Sequence, residues 1–120
     1  MLELKAKVIS LSERISTLTS SINTEEATKQ AFVVPFIMAL GYDVFNPLEV
    51  VPEYTADVGT KKAEKVDYAI LKDNTPLIII ECKKCGHVLN AADYSQLYRY
   101  FATTEAKIPI LTNGVQYQFY

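Results

Sequence analysis

The chain has few of the residues that would commit it to metal-thiolate, secreted or membrane chemistry. Only two cysteines occur among its 120 residues, Cys82 and Cys85. A structural zinc site wants four ligands, and His87 offers at most a third, so zinc or redox chemistry is not the favoured use of this C-x-x-C. His87 reads instead as a loop residue near the site rather than a ligand, and two unbridged thiols suit a reducing cytoplasm. Met1 opens a charged, Ser-rich segment rather than a secretory leader. No apolar stretch is long enough to span a membrane. The G-x-x-x-x-G-K-[ST] loop is absent, so the chain carries no P-loop motor. An excess of positive charge is also missing: the net charge is −2. Binding to nucleic acid by bulk attraction is therefore excluded, and any such contact must come from a local patch. Lys61, Lys62, Lys65, Lys83 and Lys84 are the candidates for one.

What is present is a hydrophobic fraction of 49%, enough for the core of one domain. The most informative segment holds two apolar runs, 66–71 and 77–82, separated by the turn formers of residues 72–76. Folded as a hairpin centred on Asn74, it sets Asp67 opposite Glu81, Ala69 opposite Ile79 and Leu71 opposite Leu77. Side chains alternate along a strand, so Lys83 shares a face with Glu81, while Cys82 points the other way, into the core. Two carboxylates and an ammonium then converge. Like charges facing each other cost stability, which a divalent cation with oxygen ligands would relieve. By the same logic Asp67→Ala is expected to leave stability equal or higher. Chemically, two acids that hold a metal and a lysine that orients a nucleophile suit phosphodiester hydrolysis. An ordinary hairpin with polar ends is the plain alternative.

Elsewhere the periodicity is clear. Leu4, Val8, Leu11, Ile15, Leu18 and Ile22 form an a/d seam on an amphipathic N-terminal helix, residues 1–22, which packs on its own domain or pairs with a second copy. A second helix is expected over 24–40, capped by Asn23 or Thr24, with Glu25 and Glu26 at its positive end and Gly41 as its stop. Pro35 should bend it or free a carbonyl near Ala31. Strands are expected at 42–45 and 50–58, the latter carrying Glu53 and Asp57, then a mobile basic loop at 59–65. After the hairpin come a helix at 90–104 and strands at 108–112 and 115–119, joined by a two-residue Asn113-Gly114 turn.

The Asp67, Glu81 and Lys83 set resembles the PD-(D/E)xK nuclease superfamily, although Val66 stands where that pattern has proline. Residues 24–42, with Glu25 ten residues before Pro35, then Thr28, Lys29 and an ending Pro35-Phe36-Ile37 through Leu40-Gly41-Tyr42, resemble the opening helix of the N-terminal nuclease domain of type I restriction enzyme R subunits. The likeness covers about residues 24–120. It implies an α/β fold with a restriction-endonuclease-like mixed central sheet flanked by helices, over residues 23–120, and a chain that is a fragment or one domain of a longer protein. It implies Mg2+ or Mn2+ held by Asp67, Glu81 and the main-chain carbonyl of Cys82. Glu25 would sit at the site's edge, with Glu26 as the fallback if the register is off by one. The superfamily often carries a Q-x-x-x-Y element, here Gln96 and Tyr100, whose glutamine supports the site lysine or contacts DNA. The implied partners are double-stranded DNA and restriction-complex subunits. A catalytically silent DNA-binding or assembly module of the same fold is the main rival. A junction resolvase or phage recombination nuclease is a weaker one, and the residues do not distinguish DNA from RNA.

Overall fold

In a computed structural model the backbone is described for residues 2–58 and 61–120, and the side chains for residues 3–55 and 65–120. Helix α1 (Leu2–Leu18) runs into a 3-10 turn, Thr19–Ser21. A second helical rod follows in three pieces: α2 (Glu25–Thr28), a π turn (Lys29–Val33) and α3 (Val34–Ala39). Strands β1 (Val50–Val58), β2 (Lys61–Lys72) and β3 (Thr75–Cys82) form an antiparallel meander. Helix α4 (Ala91–Ala102) then crosses over to β4 (Ile108–Thr112), which lies parallel to β3, and β5 (Tyr117–Phe119) closes the edge. The sheet order is β1-β2-β3-β4-β5, so the expected mixed α/β sheet flanked by helices is what forms.

The sheet buries both faces, and this explains the continuous isoleucine run of β3. Ile70, Ile78, Ile80, Cys82 and Ile110 pack with Val33 and Ile37 on one side. Ala69, Ile79 and Leu111 pack with Leu97 and Tyr100 of α4 on the other. Cys82 is fully buried in the first cluster, as the alternation requires.

Pro35 has the effect its ring dictates. It has no N–H to offer Ala31, and the rod widens to a π turn just before it. Arg14 of α1 donates its Nε–H to the freed Ala31 carbonyl at 3.2 Å. Thr24 caps the rod by accepting from the Ala27 N–H. The seam of α1 is divided. Leu11 is buried and Ile15 and Leu18 are half-buried, but Leu4 and Val8 remain exposed. The helix therefore packs on its own domain through its C-terminal half, against α3.

Several expectations fail for local reasons. Residues 42–45 are not a strand. Asp43 accepts from the Phe45 N–H and Asn46 from the Leu48 N–H, side-chain turns that outcompete a ladder. The expected basic loop is mostly strand, because β2 begins at Lys61 and pairs with β1. Gly59 and Thr60, and the side chains of Asp57, Lys61 and Lys62, lie outside what is described. The hairpin turn is the two residues Asp73 and Asn74, with φ of 53° and 63°, which the right-handed strand twist favours. A register shift beside it sets Leu71 opposite Pro76 rather than Leu77. The last hairpin is not joined by two residues either. Asn113 accepts from the N–H groups of Val115 and Gln116, and pairing resumes only at Tyr117.

Candidate active site

Beyond the shift the register is the one the sequence implies, with Ile70 opposite Ile78, Ala69 opposite Ile79 and Tyr68 opposite Ile80. One step further along, Asp67 in the middle of β2 comes beside Glu81 at the C-terminal end of β3. The alternation of β2 breaks there. Val66 packs into the α4-side cluster, whereas Tyr68, two residues on, packs against the opposite one. Across from this point on β1 is Glu53, with φ of 51°. Asp67 thus sits where the strand turns over, and its carboxylate is not confined to one face. Its Oδ2 accepts from the Cys82 main-chain N–H at 2.7 Å. Its Oδ1 accepts from Lys29 Nζ at 3.1 Å, reaching the opposite layer from α4.

Glu81 is the least satisfied group of the site. It is buried, and its Oε1 has no hydrogen-bond partner. Burial, then the neighbouring Asp67 charge and a side-chain hydrogen bond with Asp67, pushes its carboxyl up to about 8, and Lys83 and the Asp67 main chain only partly offset this. Lys83 Nζ stands 3.9 Å from Glu81 Oε2 and donates to Gln96 Oε1 at 3.1 Å. Gln96 in turn donates to the Tyr100 hydroxyl at 3.4 Å, one turn along α4. The lysine and glutamine paired in the sequence reading therefore meet.

Helix α4 holds Lys83 from its first turn as well. Asn90 and Asp93 form a reciprocal capping box. The Asp93 carboxylate also meets His87 Nε2 at 2.7 Å and lies 3.9 Å from Lys83 Nζ. His87 is thus a loop residue near the site, partnered with the helix that positions Lys83.

Glu25 stays at the periphery. It is exposed, and no hydrogen bond or ion pair joins it to Asp67, Glu81 or Lys83. Its charge does bear on the Cys82 thiol, so it lies at the same end of the sheet. Glu26, the fallback, is closer to the chemistry: its Oε1 pairs with Lys29 at 2.7 Å. Lys29 is the residue the sequence reading missed. Burial alone would lower its ammonium, but hydrogen bonds to Glu26 and Asp67 outweigh burial and raise it. The available signal was a lone lysine on an otherwise apolar helix face.

Among the described residues, no three His, Cys, Asp or Glu side chains gather closely enough to hold a metal ion. A cation at this site would rest on two carboxylates, and main-chain oxygen, water or substrate would supply the rest. Glu81 fits that use, since its orphaned oxygen has no protein donor to satisfy it. Asp67 fits it too, because an oxygen that accepts one hydrogen bond keeps a second lone pair. Thiolate chemistry does not fit: Cys82 is buried and its thiol is raised well above the usual range, by burial first and then by Asp67 and Glu81.

Residues 24–120 match the family described as type I restriction enzyme R protein N terminus (HSDR_N). The chain belongs to that family. No curated protein and no solved structure matches it significantly. The matched span begins at the Thr24 cap and contains every residue of the strand-end site, whereas α1 lies outside it. No helix among the described residues is long and apolar enough to cross a membrane.

Proposed function

We propose that this domain is a divalent-cation-dependent deoxyribonuclease of the PD-(D/E)xK type that hydrolyses DNA phosphodiester bonds within a restriction system. The observation that carries this reading is the buried, partnerless Glu81 Oε1 beside Asp67, with Lys83 held at its flank. Asp67, Glu81 and the Cys82 main-chain carbonyl would hold Mg2+ or Mn2+. When bound, the ion supplies positive charge against the phosphodiester and its attacking oxygen. Lys83, fixed by Gln96 and Asp93, donates to a non-bridging oxygen or orients the water. Asp93 and His87 join the site as positioning residues. Glu25 belongs to its rim rather than to its ligands. Double-stranded DNA is the substrate, and other restriction-complex subunits in the cytoplasm supply sequence recognition.

A second reading has its own support. Lys29 already neutralises Asp67, as expected of a catalytically silent DNA-binding or assembly module that keeps the fold. The exposed Leu4 and Val8 would then give α1 a surface for a second copy.

Calorimetric titration with Mg2+ or Mn2+, wild type beside Glu81→Ala, separates the two. Binding lost in the variant, together with metal-dependent cleavage of plasmid DNA, supports the nuclease. No heat in either protein, with or without DNA, favours the silent module.

A further inference from the structure

Lys29 is buried, with a side chain 11% exposed, yet it is held by two carboxylates of opposite character. Asp67 is itself only 15% exposed and is pinned by the Cys82 N–H, so that contact is a fixed part of the fold. Glu26 is 83% exposed, and its carboxylate reaches the lysine from solvent along one helical turn. An exposed acid loses little when it swings back into water, because the pair it breaks is screened and entropically costly to hold. An ammonium carries three donors. Lys29 therefore has one donor committed to the site and at least one covered by a replaceable anion. Glu26 and Lys29 also line a cleft of about 400 Å3 with Gln30, Phe45 and Tyr68, so the ammonium can be approached from outside.

We infer that Lys29 forms a phosphate subsite beside the strand-end carboxylates, and that Glu26 occupies it in the free protein as a stand-in for a DNA phosphate oxygen. The inference rests on the reading of those strand ends as a phosphodiester site. The residue then has two roles. It holds Asp67 in place, and on the side away from Lys83 it takes a backbone phosphate of the substrate. The net charge of −2 makes such a local cation count, since no general positive field assists.

The test is binding of a fluorescein-labelled DNA duplex in EDTA, so that no cleavage occurs, over a range of salt concentrations. Lys29→Met should weaken binding and make the slope of log K against log salt shallower by about 1. Glu26→Gln should tighten binding in the wild-type background, and that gain should vanish in the Lys29→Met background. An equal gain in both backgrounds would reduce Glu26 to a general charge effect, and an unchanged slope in Lys29→Met would leave Lys29 a structural partner of Asp67 only. Either result overturns the inference. If Lys29→Met does not fold, Lys29→Met with Asp67→Asn removes both charges together and reads the same slope. Wild-type protein that binds no DNA even at low salt would defeat the functional reading as well. Binding with a normal slope in the variant defeats only the subsite.

Discussion

Two lysines flank the strand-end carboxylates, and they are held in unlike ways. Lys29 comes from the rod on one side of the sheet and pairs at 2.7 and 3.1 Å with Glu26 and Asp67. Lys83 follows β3, faces α4 and rests on the neutral Gln96 amide at 3.1 Å, with Glu81 and Asp93 both at 3.9 Å. The first geometry ties one donor into the fold through Asp67 and leaves another on the exposed, replaceable Glu26. The second keeps an ammonium oriented without consuming its charge, the condition a group needs in order to act on a substrate. Proximity to acids is thus a poor guide to role, and what decides it is whether the partner is fixed, replaceable or neutral.

The contrast is broken most sharply at Lys29. Lys29→Met should destabilise the fold by about 3 kcal/mol, because it strands the largely buried Asp67. Adding Asp67→Asn should recover much of that loss in urea unfolding. Full additivity of the two changes would show that the pair is not coupled. Asp67→Ala alone should likewise destabilise, against the expectation from carboxylate repulsion, since it orphans both Lys29 and the Cys82 N–H.

Glu81→Gln should come next, with the opposite sign. A carboxyl raised to about 8 keeps its proton in the folded state while the unfolded chain ionises near 4.5. Its contribution is present below pH 4.5 and is lost as pH rises through about 8. The variant should match wild type in acid and exceed it above pH 8, by on the order of a few kcal/mol. A gap that does not widen with pH in thermal melts would remove Glu81 as the strained group. Asp93→Ala should cost about 1–2 kcal/mol through the lost capping box, and should also slow any cleavage by freeing Lys83. Lys83→Met should change stability by less than about 1 kcal/mol while reducing cleavage by about 100-fold or more. If it instead unfolded the domain, the two lysines would be equivalent and the contrast would be wrong.

The residues that sequence reasoning placed well are those fixed by short-range order. Glu81 and Lys83 meet because Lys83 comes just past the end of β3, two residues on from Glu81. Asp67 meets Glu81 because the Asp73-Asn74 turn and the register shift between Ile70 and Leu71 together give the offset of a hairpin centred on Asn74. Gln96 and Tyr100 touch because they are one helical turn apart. The reading failed where a side chain competes with the backbone, as Asp43 and Asn46 do, and at the Asn113 loop. It also missed a contact that depends on how a helix seats on the sheet, the one that brings Lys29, with Glu26 behind it, to Asp67.

Sequence alone determined the apolar periods and the proximity of Asp67 and Glu81 to Lys83, because each depends on geometry within a few residues or across one hairpin. Only the tertiary structure decided that Lys29 reaches Asp67 across 38 residues, that Arg14 takes the carbonyl Pro35 leaves free, and that Asp93 ties His87 to Lys83. Those contacts depend on the depth and rotation at which helices pack against the two faces of the sheet, quantities set by the whole core rather than by any local stretch of it.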